Sequence, residues 1–144
     1  MREGFVASLA LVPSVFVYGT VFGGLAVQAG LSVAHVLGMT LLVFAGASQF
    51  VAVPMLATGA PAVAIVVTTY VINMRHYLMA ATLAPSFGGF RRAWLAVIAH
   101  VINDESFAVA VARSRPPDAW IYLGSAVAIY GAFGGGVVLS LIHI

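Results

Sequence analysis

The sequence predicts an all-α fold, a polytopic transmembrane helix bundle of about five spans, some of them kinked or broken. Three observations predict it. Charged residues make up only 7% of the 144 positions, and the mean hydropathy is +1.10. No Asp, Glu, Lys or Arg occurs between Gly4 and Met74. Turn signals then divide the chain into apolar stretches of ~20 residues, enough at ~1.5 Å per residue to cross a hydrocarbon core of ~30 Å. A soluble domain of this size needs far more charge to cover its core. Lipid offers no hydrogen bonds to an open backbone, so helices are the form expected at this apolarity.

The first span runs from Phe5 to Gln28 and ends at Ala29-Gly30-Leu31-Ser32. A second covers Ala34 to Leu56 and is closed by Thr58-Gly59-Ala60-Pro61. The third, Ala62 to Leu83, stops at Pro85-Ser86-Phe87-Gly88-Gly89. The fourth, Ala93 to Ala112, precedes Arg113-Ser114-Arg115-Pro116-Pro117, and the fifth runs from Trp120 to Leu141. Residues 1–144 therefore form a single transmembrane domain. Met1-Arg2-Glu3 before an apolar run has the outline of a signal peptide, but the apolar character continues with no soluble domain for it to deliver.

Pro13 and Pro54 fall inside the first and second spans, where each removes a backbone hydrogen bond and is expected to kink or break its helix. Gly19 with Gly23, and Gly131 with Gly135, have the spacing of close helix packing. Arg2, Arg113 and Arg115 fall on one side of a five-span chain and Arg91 and Arg92 on the other, so the positive-inside rule does not orient it.

Cysteine is absent, which removes disulfides, thiol catalysis and Cys-based metal sites. The net charge of +2 is too small and too scattered for nucleic acid. The partner this composition calls for is the lipid bilayer.

The informative residues are the polar ones inside apolar spans. Arg75 and His76 lie near the middle of the third span, and Asp104 and Glu105 near the middle of the fourth. In an antiparallel hairpin their depths are roughly 12 and 17 Å from one face, by helical rise. A lone charge there costs at least ~2.5–3.5 kcal/mol, so Arg75 is expected to pair with Asp104 or Glu105. The two acids are adjacent and point ~100° apart on a helix, so they do not both face one partner. A carboxylic acid held in low dielectric favours its protonated form, which suits a proton carrier. An arginine fork suits a substrate carboxylate. Asn73, His76, His100 and Asn103 supply neutral donors and acceptors. His76 and His100 lack dedicated metal-ligand spacing and read as hydrogen-bonded histidines. In the second span Gly46-Ala47-Ser48-Gln49 combines small residues, which let a backbone approach or unwind, with a glutamine that must find partners.

These same residues carry a resemblance. Phe44-Ala45-Gly46-Ala47-Ser48-Gln49-Phe50, then Asn73-Met74-Arg75-His76, then Asp104-Glu105-Ser106-Phe107 resemble, in order and spacing, the motifs of the AzlC family of bacterial inner-membrane exporters of branched-chain amino acids. Gly30-Leu31-Ser32 and Leu83-Ala84-Pro85 fit as well, so the resemblance spans almost the whole chain. Three positions depart from the family pattern. Val17-Tyr18-Gly19 occupies the place where the family often has Pro-Phe-Gly. Met74 stands where Leu is commoner, and Asn103 where Thr often precedes the acidic pair.

The resemblance implies a multi-pass protein of the bacterial inner membrane. It implies proton-driven export of valine, leucine and isoleucine, with methionine among the candidates, and a small hydrophobic partner subunit of the AzlD type. Under it, Asn73 and Arg75 hold the substrate carboxylate and Asp104 or Glu105 carries the proton or meets the ammonium. Ser48 and Gln49 line the path, beside His76. No cofactor is called for, and no nucleotide-binding motif is present. The family's members continue past this point with further spans. Ser140 to Ile144 stops inside an apolar run, and residues 139–144 resemble translated sequencing-adapter read-through. A truncated chain with a spurious tail is expected.

Two other classes compete. One is a non-catalytic membrane subunit whose ion pair only organises assembly. The other is an intramembrane hydrolase using Ser48 or Ser106 with His76 or His100, for which no nucleophile motif is present.

Overall fold

The computed structural model describes residues 1–143. Among them the helices are, in order, α1 (Arg2–Ser8), α2 (Val12–Gln28), α3 (Val33–Gly38), α4 (Gly46–Ala57), α5 (Ala62–Asn73), α6 (Arg75–Leu83), α7 (Arg92–His100), α8 (Asp104–Arg113) and α9 (Ala119–His143). A π-helical turn, Met39–Val43, extends α3, and a 3-10 turn, Ala84–Phe87, extends α6. They group into the five apolar segments that the turn signals mark. Two segments are unbroken helices long and apolar enough to cross a membrane, Ala62–Phe87 and Ala119–His143. Two are bent pairs, α1–α2 at 68° and α7–α8 at 111°, which brings the candidate spans to as many as four. The second segment consists of two shorter apolar helices, Val33–Val43 and Gly46–Ala57. The fold is an all-α membrane bundle.

The centre of the bundle is α9, half of whose most apolar stretch is covered by protein. It runs parallel to α1 and α2 at a separation that only small residues permit. A side chain at Gly19 would strike the backbone of Phe133, one at Gly136 the backbone of Phe16, and one at Gly23 the side chain of Ser140. Of the glycines with packing spacing, Gly131 faces open space and Gly136 takes its place. One apolar cluster forms here from Phe22, Val36, Phe44, Val53, Phe133 and Val137. A second joins Met79, Leu83, Phe87, Ile98, Tyr122 and Ala126 at the other end of α9. The third segment is peripheral. Only 6% of its most apolar stretch is covered, which suits a surface solvated by lipid.

The breaks differ from those the prolines suggest. Pro13 occupies the first turn of α2, where its missing N–H costs nothing, and the bend lies just before it at Leu9–Leu11. Pro54 sits inside α4, which continues past it. The second segment breaks ten residues earlier, where the π turn ends on Phe44 in the left-handed region (φ 39°). The fourth breaks at Val101–Asn103, where Asn103 caps α8 by accepting a hydrogen bond from Ser106 N–H at 2.8 Å. Asp104 and Glu105, expected in mid-helix, therefore open a helix. Residues 139–143 continue α9, and Ile144, the end of the expected tail, lies outside the described residues.

Candidate functional site

Both breaks face one cavity of about 290 Å3 in the middle of the bundle. Each of the five segments contributes near its own midpoint. Ser14, Val15 and Tyr18 come from α2, and Phe44 to Ala47 from the break in the second segment. Arg75 and His76 come from the start of α6, Asn103 to Glu105 from the start of α8, and Ile129 and Phe133 from α9.

The electrostatic centre is an ion pair. Arg75 Nη2 lies 2.9 Å from Asp104 Oδ2, so the expected partner of Arg75 is Asp104. The side chains remain 39% and 50% exposed, and both residues line the cavity. The Arg75 Nε is buried and has no hydrogen-bond partner among the described residues. Glu105 also lines the cavity and forms no ion pair among the described residues. His76 is oriented by its own helix, with Nδ1 3.0 Å from the Asn73 carbonyl oxygen. The rest of the lining is largely aromatic and aliphatic. Tyr18 stacks on Phe50 at 4.2 Å between ring centres, and Phe44 and Phe133 meet edge to face at 5.9 Å. The site is amphiphilic, lined by charged and by apolar side chains.

The structure thus brings Arg75, His76, Asp104 and Glu105 together at the cavity and places Ser48, Gln49 and Asn73 behind its wall. Ser48 and Gln49 are almost fully buried. Ser48 Oγ donates to the Ala45 carbonyl at 2.9 Å and accepts from Asn73 Nδ2 at 3.2 Å, so this trio braces the broken helix against α5. Neither amide atom of Gln49 has a partner among the described residues. The hydrolase arrangement is not assembled: His76 bonds to the Asn73 carbonyl and His100 to that of Leu41, while Ser48 bonds to Ala45 and Ser106 Oγ has no hydrogen-bond partner among the described residues.

Val15, Ile129 and Phe133 are cavity residues that the sequence does not single out, since an apolar side chain in an apolar span carries no local signal. Gly46 is marked by its small size, and its Cα faces the Tyr18 ring, which a Cβ would crowd at 3.1 Å. A further contact joins the two breaks directly. His100 Nε2 donates to the Leu41 carbonyl at 2.8 Å, and Tyr130 from α9 donates to the same oxygen at 3.1 Å.

Known proteins resemble this chain in sequence. A family model described as AzlC protein matches residues 10–143. An uncharacterized membrane protein of Helicobacter pylori (strain 26695) is 30% identical over 109 residues, 75% of this chain and 47% of the relative. An uncharacterized membrane protein of Archaeoglobus fulgidus is 29% identical over 141 residues, 98% of this chain and 61% of the relative. The chain spans about half the length of the Helicobacter relatives it matches. No solved structure matches it. The match covers both breaks, the central ion pair and all of α9, and the chain is a helical membrane protein that belongs to the AzlC family.

Proposed function

We propose that this chain forms the substrate-binding part of a secondary transporter that exports branched-chain amino acids across the bacterial inner membrane, coupled to the proton gradient. The observation that carries the reading is the Arg75–Asp104 pair, lining a mid-bundle cavity that Tyr18, Phe44, Ile129 and Phe133 also line. A zwitterion with an aliphatic side chain has the complementary pattern. Its carboxylate competes for the Arg75 fork, its ammonium for Asp104 or Glu105, and its side chain lies on the apolar wall. The cavity is at the small end of the ~300–1,000 Å3 typical of small-molecule sites, which suits a single amino acid.

Coupling follows from the same groups. A carboxylate that takes up a proton no longer holds an ammonium group, so proton entry and substrate release are linked at Asp104 and Glu105. The cargo, and a small AzlD-type partner subunit, are supported by the family resemblance.

The test is efflux of labelled valine or leucine from loaded cells carrying the full-length gene, with and without the neighbouring gene for a small membrane protein. Efflux is expected to fall to background in Arg75→Ala and Asp104→Asn. Wild-type rates in those variants overturn the site assignment, and equal rates without the neighbouring gene overturn the partner.

A further inference from the structure

The two unbroken helices define two levels against which the broken segments can be measured. Ser86 Oγ donates to the Pro117 carbonyl, and the Phe87 ring meets Tyr122 at 5.8 Å. The end of the third segment and the start of α9 therefore lie at one membrane face. The fourth segment leaves from this face just after Phe87 and returns to it just before Pro117, after turning through 111°. With 9 and 10 residues, α7 and α8 each reach roughly 15 Å at 1.5 Å per residue, half of a hydrocarbon core.

The second segment does the same from the opposite side. Because α1–α2 runs parallel to α9, with Gly4 at Ile121, Gly19 at Phe133 and Gly23 at Ser140, the chain reaches the far face at Gln28. From there α3 and the π turn descend to the middle of α9, where Phe44 packs on Tyr130 at 4.4 Å. Then α4 climbs back. Gly46, its first residue, meets Tyr18, and one turn later Phe50 packs on both Tyr18 and Phe22, closer to the Gln28 end. Its other end connects through Thr58–Pro61 to Ala62, where the third segment begins its crossing.

We propose that the second and fourth segments are re-entrant hairpins that enter from opposite faces and meet tip to tip at the cavity, leaving three full crossings. A regularity independent of these contacts supports this. It lies in the spacing of elements rather than in residue identity: α3 and α7 start 59 residues apart, α4 and α8 58 apart, and α5 and α9 57 apart. Each crossing with its following hairpin is then one unit of an inverted repeat, and the cavity lies where the units meet, as in transporters built of discontinuous helices. Each hairpin closes the cavity toward its own face, and the His100–Leu41 bond ties the closed tips together.

The hairpins also decide the orientation. Arg91, Arg92, Arg113 and Arg115 flank the α7–α8 hairpin on its own face, and Arg2 joins them because Met1 packs against Gly124 at the start of α9. The two connections on the other face, residues 29–32 and 58–61, contain no Lys or Arg. The arginine-bearing face is therefore cytoplasmic.

The chain has no cysteine, so single-cysteine variants report one position each. In the full-length protein, with any cysteine outside these 144 residues replaced by serine, Gln28→Cys, Thr58→Cys, Gly89→Cys and Ala112→Cys are treated with a membrane-impermeant maleimide on intact cells and again after permeabilisation. Gln28→Cys and Thr58→Cys are expected to label in intact cells, and Gly89→Cys and Ala112→Cys only after permeabilisation. Opposite sidedness of Gly89→Cys and Ala112→Cys, or of Gln28→Cys and Thr58→Cys, overturns the hairpins. Reversal of all four overturns the orientation. Labelling in detergent identifies any variant that fails to accumulate, and Ser32→Cys and Ser114→Cys serve as second reporters at the two faces.

Discussion

The second and fourth segments both break at the cavity, and they break by different chemistry. The fourth is interrupted by side chains. Asn103 caps α8, and Asp104 and Glu105 follow in its first turn, where the helix dipole favours acids. The second is interrupted by its backbone. A π turn runs into Phe44 with positive φ, and α4 starts at Gly46 with no side-chain cap. The charged break supplies the ion pair, and the neutral break supplies close backbone approach. A substrate with both charge and apolar bulk needs the two together.

Under this contrast, perturbing the charged break has the largest effect. Arg75→Ala leaves Asp104 without its partner and is expected to lower efflux by at least about tenfold, while Arg75→Lys, which keeps the charge and loses the fork, falls in between. Equal efflux by the Lys and Ala variants breaks the claim that fork geometry matters. Asn103→Ala removes the cap and is expected to cost about 1 kcal/mol, read as a lower thermal midpoint in detergent, with Asn103→Asp close to wild type. His100→Leu removes one of the two donors to the Leu41 carbonyl. Since Tyr130 still serves that oxygen, the expected loss is at most ~0.5–1.5 kcal/mol, detectable as faster amide exchange at both breaks. Faster exchange at only one break shows that the tips are independent. Pro54→Ala is expected to change least, because Pro54 does not make the break; a rigid, unbroken second segment in that variant contradicts placing the break at Phe44.

Much of the site is legible in the sequence because charge in an apolar span has few places to go. Depth alone brings Arg75 to the acidic pair, and the structure selects Asp104. The break at Asn103 also has a local signature, a capping residue followed by two acids, which is the pattern of a helix start rather than of a helix middle. The break at Phe44 has only the small residues Ala45, Gly46 and Ala47 beside it and no capping side chain. Prolines misdirect here, since Pro13 sits where a helix accepts it and Pro54 is accommodated. Ser48, Gln49 and Asn73 are equally visible as polar intruders, yet they lie behind the cavity wall, where Ser48 and Asn73 brace α4 against α5.

The sequence by itself determined that this is a helical membrane protein, where its five apolar segments lie, and which charges must find each other. Those follow from hydropathy and from the cost of an unpaired ion in lipid, both of which act on residues one at a time. Tertiary structure decided where the second segment breaks, and which polar and which apolar residues line the cavity. Each of these depends on the neighbour that packs alongside: α9 aligns with α2 through Gly19 and Gly136, and that fit brings Phe133 and Ile129 to the cavity that Arg75 also lines. No local pattern encodes such a contact between residues more than a hundred positions apart.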